Sequence, residues 1–389
     1  MDFMPMKDLM DRLTQWRIPG NAIMIYKDNK PVFEYCSGFS NISNNEKMTM
    51  DRYFYMYSCT KIVTTLAALQ LYEKGYYLLD DPLYDFIPAF KDMYYRSGNE
   101  IKKSRPITIR HLFTMTAGFN YDFNSPAFKK AEKITNGHFE TVPTIECLAQ
   151  EPLDFEPGER FQYSLCHDVL AAFTEVVSGK KFRTYVKENI FDPLNINASF
   201  VNGSEEQKRL CSKYLFIENS TDGKPFDFED PKHNIKNSGK IVEDKLYNHH
   251  ILGDCYDSAG MITSVPDFAK LTAAISDNGK TPGGERLISP GTIALWKTNQ
   301  LSETQRSGFN WPRLKGYGYG LGIQTLMNHA EAGCTPYCDE FGWGGAAGAY
   351  ALMDTKNNVS LFYAHHLVKS HSAYVWPRLR NVLYKCLDM

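Results

Sequence analysis

Neither sign of charge dominates this chain: 43 Lys and Arg stand against 45 Asp and Glu, a formal charge of −2 over 389 residues. Long runs of one sign are missing as well, so no nucleic-acid partner is expected, because phosphate binding needs a basic footprint. No stretch reaches the apolar length of a membrane span, and the amino terminus MDFMPMKDLMDRL carries acids and no apolar core of signal-peptide length. A soluble, cytoplasmic protein with no membrane partner is the expectation. The nine cysteines, Cys36, Cys59, Cys147, Cys166, Cys211, Cys255, Cys334, Cys338 and Cys386, are odd in number and scattered, which favours free thiols over a disulfide framework. Cys334 and Cys338, His249-His250 and His365-His366 lack a second pair at metal-site spacing, so no metal is expected. A GxSxG elbow in a usable context is also missing, which sets aside the Ser-His-Asp triad of the α/β-hydrolases.

The composition that is present, 43% hydrophobic and 14% aromatic, is that of a globular protein. The length exceeds the usual single-core ceiling, so one two-lobed unit or two domains is expected. Two β-rich runs between Asn21 and Tyr35, split by Lys27-Asp28-Asn29-Lys30, predict an early hairpin. Ile62, Leu66, Leu69 and Tyr72 recur at spacings of three and four before Gly75, which predicts a helix over 61–74. After Asp80-Asp81-Pro82 come short helical patterns, among them 107–119 and 167–179. The polar stretch 203–250 places Asp222-Gly223 between two apolar-containing runs, a predicted surface hairpin. Residues 264–279 read as a helix capped by Ser264 with Pro266 in its first turn. Strand patterns fill 317–326, 348–354 and 359–366, and a last helix is expected from about Trp376. Strand-rich ends around a helix-rich middle predict one sheet built from both chain ends, with a helical lobe inserted.

Ser58-Cys59-Thr60-Lys61 puts a hydroxyl and an amine three residues apart at the start of the predicted helix, on one face. A serine hydroxyl is a weak nucleophile until a base takes its proton, and a lysine held out of water with a lowered pKa can be that base. The first turn adds unpaired N–H groups that favour developing negative charge. By itself the spacing arises by chance: Ser178-Gly179-Lys180-Lys181 is a second instance, at the end of a helical pattern where solvated lysines are the natural reading.

In its company the first instance means more. FYMYSCTK (54–61), LLDDPLYDFIPAF (78–90), ITIRHLFTMTAGF (107–119), FEPGERFQYSL (155–165), DSAGMITSVPDFAKL, YGYGLGI and FGWGGAAGAY (341–350) follow one another in order. Together they resemble the serine β-lactamase and penicillin-binding-protein superfamily, in particular its class C β-lactamase-like carboxylesterase branch, over nearly the whole chain. The resemblance implies an α+β fold, an antiparallel sheet flanked by helices with an inserted mainly helical lobe. Residues 1–79 and 251–389 would form the α/β lobe, and 80–250 the helical lobe with its polar insertion. It also implies an acyl-enzyme mechanism, with Ser58 as nucleophile, Lys61 as its partner and Tyr163 as the proton shuttle. The backbone N–H groups of Ser58 and Ala346 would form the oxyanion hole, and no metal, nucleotide or organic cofactor is called for.

Two departures bear on the substrate. Leu165 stands where the family's tyrosine motif often has Asn, and Trp343 stands before Gly344 and Gly345 where the third motif usually has Lys or His. Both exchange polar recognition for apolar surface. With Leu165, Trp343, Gly344 and Gly345 lining the pocket, the expected partner is a small acyl substrate, most readily a neutral apolar ester. The alternatives are a β-lactamase, D,D-peptidase or D-aminopeptidase, which would need a charged pocket, and a catalytically silent binding protein of the same fold.

Overall fold

The structure is a computed structural model that describes residues 1–200, 208–217, 240–243, 260–369 and 372–389. The hairpin expected around Asp222-Gly223, Cys255 and His249-His250 lie outside these residues. Near the amino terminus, Asp28 and Asn29 have φ of 51° and 57°. A left-handed pair of this kind makes a two-residue turn whose twist matches antiparallel strands, and it joins Gly20–Lys27 to Lys30–Asn41.

That hairpin sits inside an eight-stranded antiparallel sheet. Its order is Tyr317–Tyr319, Gln324–Leu326, Phe341–Gly344, Tyr350–Asp354, Val359–His365, Gly20–Lys27, Lys30–Asn41 and Glu46–Lys47. The chain ends thus pair with each other: Ile23 lies opposite Tyr363 and Ile25 opposite Leu361. Because side chains alternate across a strand, the central strands feed two cores. Ala22, Met24, Met353, Phe362 and Ala364 join the core that contains Thr60–Glu73 and Val265–Ser276. Ile23, Ile25, Leu352, Leu361 and Tyr363 face Met4–Gln15 and Ser372–Cys386. Covered on both faces, these strands read as unbroken apolar runs rather than alternating ones.

The helix predicted over 61–74 is observed as Thr60–Glu73, and Gly75 follows it at φ 72°. Every residue from Thr60 to Leu71 is buried, which fits a helix apolar on nearly all sides. It packs against Cys166–Ser178, the main helix of the middle region. Ser264 caps Val265–Ser276, its Oγ accepting from the Asp267 N–H at 3.2 Å. Two sequence boundaries differ from expectation. In 107–119 only Ile109–Phe113 is helical, because Met115 and Gly118 take positive φ and turn the chain. The last helix starts at Ser372 rather than Trp376. Among the described residues, no helix is long and apolar enough to cross a membrane.

Candidate active site

Ser58 lies in a short turn, Tyr57–Cys59, that runs directly into Thr60–Glu73. N–H groups in such a first turn have no acceptor within the helix. Just before it, Tyr57 is held at φ 45°, an uncommon conformation for a bulky residue that persists only where the surroundings enforce it. Here the ring is clamped against Ala347 and Val368, and the Met56 N–H is tied to the Met261 carbonyl at 2.9 Å. One turn further along, Lys61 is completely buried. Its ammonium lies 5.2 Å from the Tyr163 ring centroid and 5.9 Å from that of Tyr121.

Tyr163 stands in the loop before Cys166–Ser178, half-buried. Its ring stacks on Trp343 at 5.7 Å and 26°, and the indole Nε1 of Trp343 donates to the Tyr163 hydroxyl at 3.3 Å. Trp343 belongs to the strand Phe341–Gly344. The two glycines after it are steric necessities. A Cβ at 344 would enter the Trp376 ring, and one at 345 would strike the Met56 carbonyl. Their bareness lets the strand end approach the nucleophile turn, which sets Ala346 beside Ser58 in one cleft. Gly345 spends its N–H on Ala349 O at 2.8 Å and Gly348 on Gly345 O at 2.9 Å, while Ala346 between them is exposed to the cleft.

This cleft, about 210 Å³, is lined by Ser58, Tyr163, Trp343, Gly344, Gly345 and Ala346, joined by Trp311, Arg313, Lys369, Ser372 and Trp376. Lys61 lies beneath it, within reach of the Tyr163 ring. Leu165 is not brought there. It is 3% exposed in the main core and borders a separate small cavity with Phe119, Phe128 and Leu153, so the expectation that it faces the substrate is corrected. The backbone turns into the helix Cys166–Ser178 directly after it, which carries its side chain inward. The second Ser-x-x-Lys instance is surface: Lys181 is 66% exposed and pairs with Glu175 at 2.9 Å.

A histidine close to Lys61 escaped the sequence reading. His167 is fully buried, its Nε2 is 3.2 Å from the Phe113 carbonyl, and its Nδ1 has no partner. Desolvation, with the Lys61 charge adding to it, pushes its pKa down to about 3, so the imidazole is neutral beside the cation.

The β-lactamase family profile matches residues 6–384. The chain belongs to the β-lactamase family. It is a serine hydrolase of that fold, and proteins named as esterases are among its relatives. Esterase EstB of Burkholderia gladioli is 25% identical over 384 residues, covering 96% of this chain and 92% of that protein. The lovastatin esterase of Penicillium rubens is 31% identical over 178 residues, 43% of this chain and 45% of that one. Among solved structures, simvastatin synthase LovD from Aspergillus terreus superposes with a TM-score of 0.77 at 19% identity, over 98% of this chain and 97% of the other. EstCE1, described as a hydrolase with promiscuous acyltransferase activity, gives 0.73 at 21% identity over the same shares. At that identity the two structures show a shared fold.

Within this β-lactamase-family cleft, the motifs did not lead to Trp311, Arg313, Lys369 or Trp376. The available signal was local: Phe309 and Trp311 place two large aromatics in one loop, where a ring without a long helix or strand to bury it has reason to line a pocket.

Proposed function

We propose that the protein hydrolyses carboxylic esters through an acyl-enzyme on Ser58. The reading rests on one observation above all: Ser58, Tyr163 and Ala346 line a single cleft, with the buried Lys61 ammonium 5.2 Å from the Tyr163 ring. Ser58 Oγ attacks the ester carbonyl as its proton passes to the Lys61–Tyr163 pair. The oxyanion that forms is met by the N–H groups of Ser58 and Ala346, each such donor being worth roughly 3 to 4 kcal/mol in the transition state. Collapse breaks the bond to the alcohol, which leaves with a proton from Tyr163. Water then attacks the acyl-serine carbonyl, gives its proton to Tyr163 and releases the acid, and Ser58 recovers its proton. The Trp343 N–H aimed at the Tyr163 oxygen stabilises the phenol when it carries negative charge.

The walls favour apolar substrate bodies. Trp311 meets the Tyr163 ring at 5.5 Å and Trp343 at 6.2 Å, so an acyl or alcohol segment entering the cleft exchanges water for indole faces. Labelling by a fluorophosphonate and turnover of p-nitrophenyl butyrate, each compared with Ser58→Ala, test the proposal. Labelling and turnover that depend on Ser58 support it. An unlabelled protein, or nitrocefin turned over faster than the ester, refutes it.

A further inference from the structure

Trp343 removes a cation from the third motif, and the fold puts one back from elsewhere. Arg313 lines the cleft beside Ser58 and also lines an adjoining groove of about 920 Å³ that shares Trp311 with it. Its guanidinium carbon lies 4.7 Å from the Trp376 ring centroid, 5.5 Å from Trp311 and 5.8 Å from Trp343. Indole faces attract a guanidinium and hold it in place, yet they take none of its five N–H donors. The one hydrogen bond it makes among the described residues is a long one, from Nη1 to Gln324 Oε1 at 3.4 Å.

Among the described residues, no carboxylate lies within ion-pair distance of Arg313. The acid that shares a small cavity with it, Glu340, is already engaged. Glu340 accepts from Tyr317 at 2.7 Å, from Tyr350 and from Gln324 at 3.3 Å, and Arg380 balances its charge at 4.0 Å. The described residues that line the cleft include a second cation, Lys369, and no Asp or Glu. A partly exposed guanidinium packed among rings, with no counter-ion among the described residues, presents its charge and its N–H donors to a ligand of opposite charge. Arginine's planar fork suits one ligand above others, a carboxylate taken on two parallel hydrogen bonds.

We infer that Arg313 is an anion-binding, specificity-determining residue of this cleft, and that the substrate is an ester bearing a carboxylate at the far end of an apolar segment. The inference rests on the ester-hydrolase reading of Ser58 and amends the neutral substrate expected from Trp343. Burial among the rings lowers the guanidinium to about 10, so it keeps its charge at neutral pH. The apolar segment lies along Trp311 and Trp343, and the carboxylate reaches Arg313 where the cleft opens into the groove.

Two matched ester pairs test this. Mono-p-nitrophenyl adipate against its methyl ester puts the charge on the acyl side, and 4-acetoxybenzoate against its methyl ester puts it on the alcohol side. In at least one pair, Arg313→Gln is expected to lower the ratio of anionic to neutral kcat/KM about tenfold, mainly through KM of the anionic ester, with Arg313→Lys retaining part of it. An unchanged ratio in both pairs overturns the inference. Loss of all four activities in the unmodified protein refutes the ester-hydrolase reading instead. Calorimetric titration with hexanoate and hexanamide still decides the anion site in that case: hexanoate bound at least tenfold more weakly by Arg313→Gln supports it, and equal binding by both proteins overturns it.

Discussion

Ser58 and Tyr163, with Lys61 buried beneath them, form one side of the cleft, and Trp311, Arg313 and Trp376 form the other. The first side stands on a buried helix and on the entry to a second helix that packs against it, with Lys61 sealed from water and Tyr57 locked by its neighbours. The second side is assembled from the short turn Pro312–Leu314 and the start of the last helix, where Trp311 and Arg313 remain partly exposed. Groups that exchange protons must keep their geometry, so they sit on rigid, deeply packed elements. Groups that select a substrate can sit on a loop, where change costs the fold less. Trp343 touches both sides, stacking on Tyr163 and closing over Arg313.

If that division is right, variants on the first side lose turnover and variants outside it lose something else. The largest effect is expected for Ser58→Ala, a loss of roughly 10⁴-fold or more in kcat. Its thermal midpoint should be little changed, since a hydroxyl at a first-turn position is worth at most about 1–2 kcal/mol. Ester turnover near the original rate would remove Ser58 from the mechanism. Lys61→Met, which keeps the buried volume, and Tyr163→Phe should each lower kcat by about 10²- to 10⁴-fold with KM little altered. Loss through KM alone would mean that they bind substrate rather than move protons.

Leu165→Asn probes the boundary between site and core. Because Leu165 is buried away from the cleft, the change should destabilise the protein by about 2–4 kcal/mol, through lost packing and an amide left in an apolar setting. It should bring no gain in nitrocefin turnover. A stable variant with new β-lactamase activity would show that this position does reach the substrate. Trp343→Phe keeps the stack on Tyr163 but removes the N–H donor. A hydrogen bond of about 1 kcal/mol corresponds to a drop in kcat of several-fold to tenfold, and an unchanged kcat would leave the indole as packing only.

A further effect is shared among three buried histidines, and it is read in pH rather than in turnover. Burial lowers His111 to about 4 and His366 and His167 to about 3. Each is neutral in the folded protein down to those values, whereas the unfolded chain binds a proton near pH 6.5. The unfolded state therefore holds more protons between those limits, so stability is fully present above about pH 6.5 and is lost as pH falls. The slope is up to about 1.4 kcal/mol per pH unit for each residue. Urea melts from pH 8 to pH 5 check this, and a flat profile would contradict it.

The amino-acid sequence by itself determined the elements with local causes. The hairpin turn at Asp28-Asn29, the buried helix from Thr60, the cap at Ser264 and the Ser58–Lys61 spacing all follow from neighbours a few residues apart, whose preferences are written in consecutive positions. Gly344 and Gly345 were visible as a motif, but the reason for them, the approach of Trp376 and of the Met56 carbonyl, is tertiary. The inward turn of Leu165 depended on where a loop meets a helix, which the motif alone did not reveal. Only the tertiary structure decided the charge of the pocket. It brought Arg313, 255 positions beyond Ser58, into the same cleft, while Arg380 and two tyrosines engaged the acid that could otherwise have paired with it. A charge acts through space at the distances that folding sets, so a cation lost from one motif can be restored by a residue no motif names.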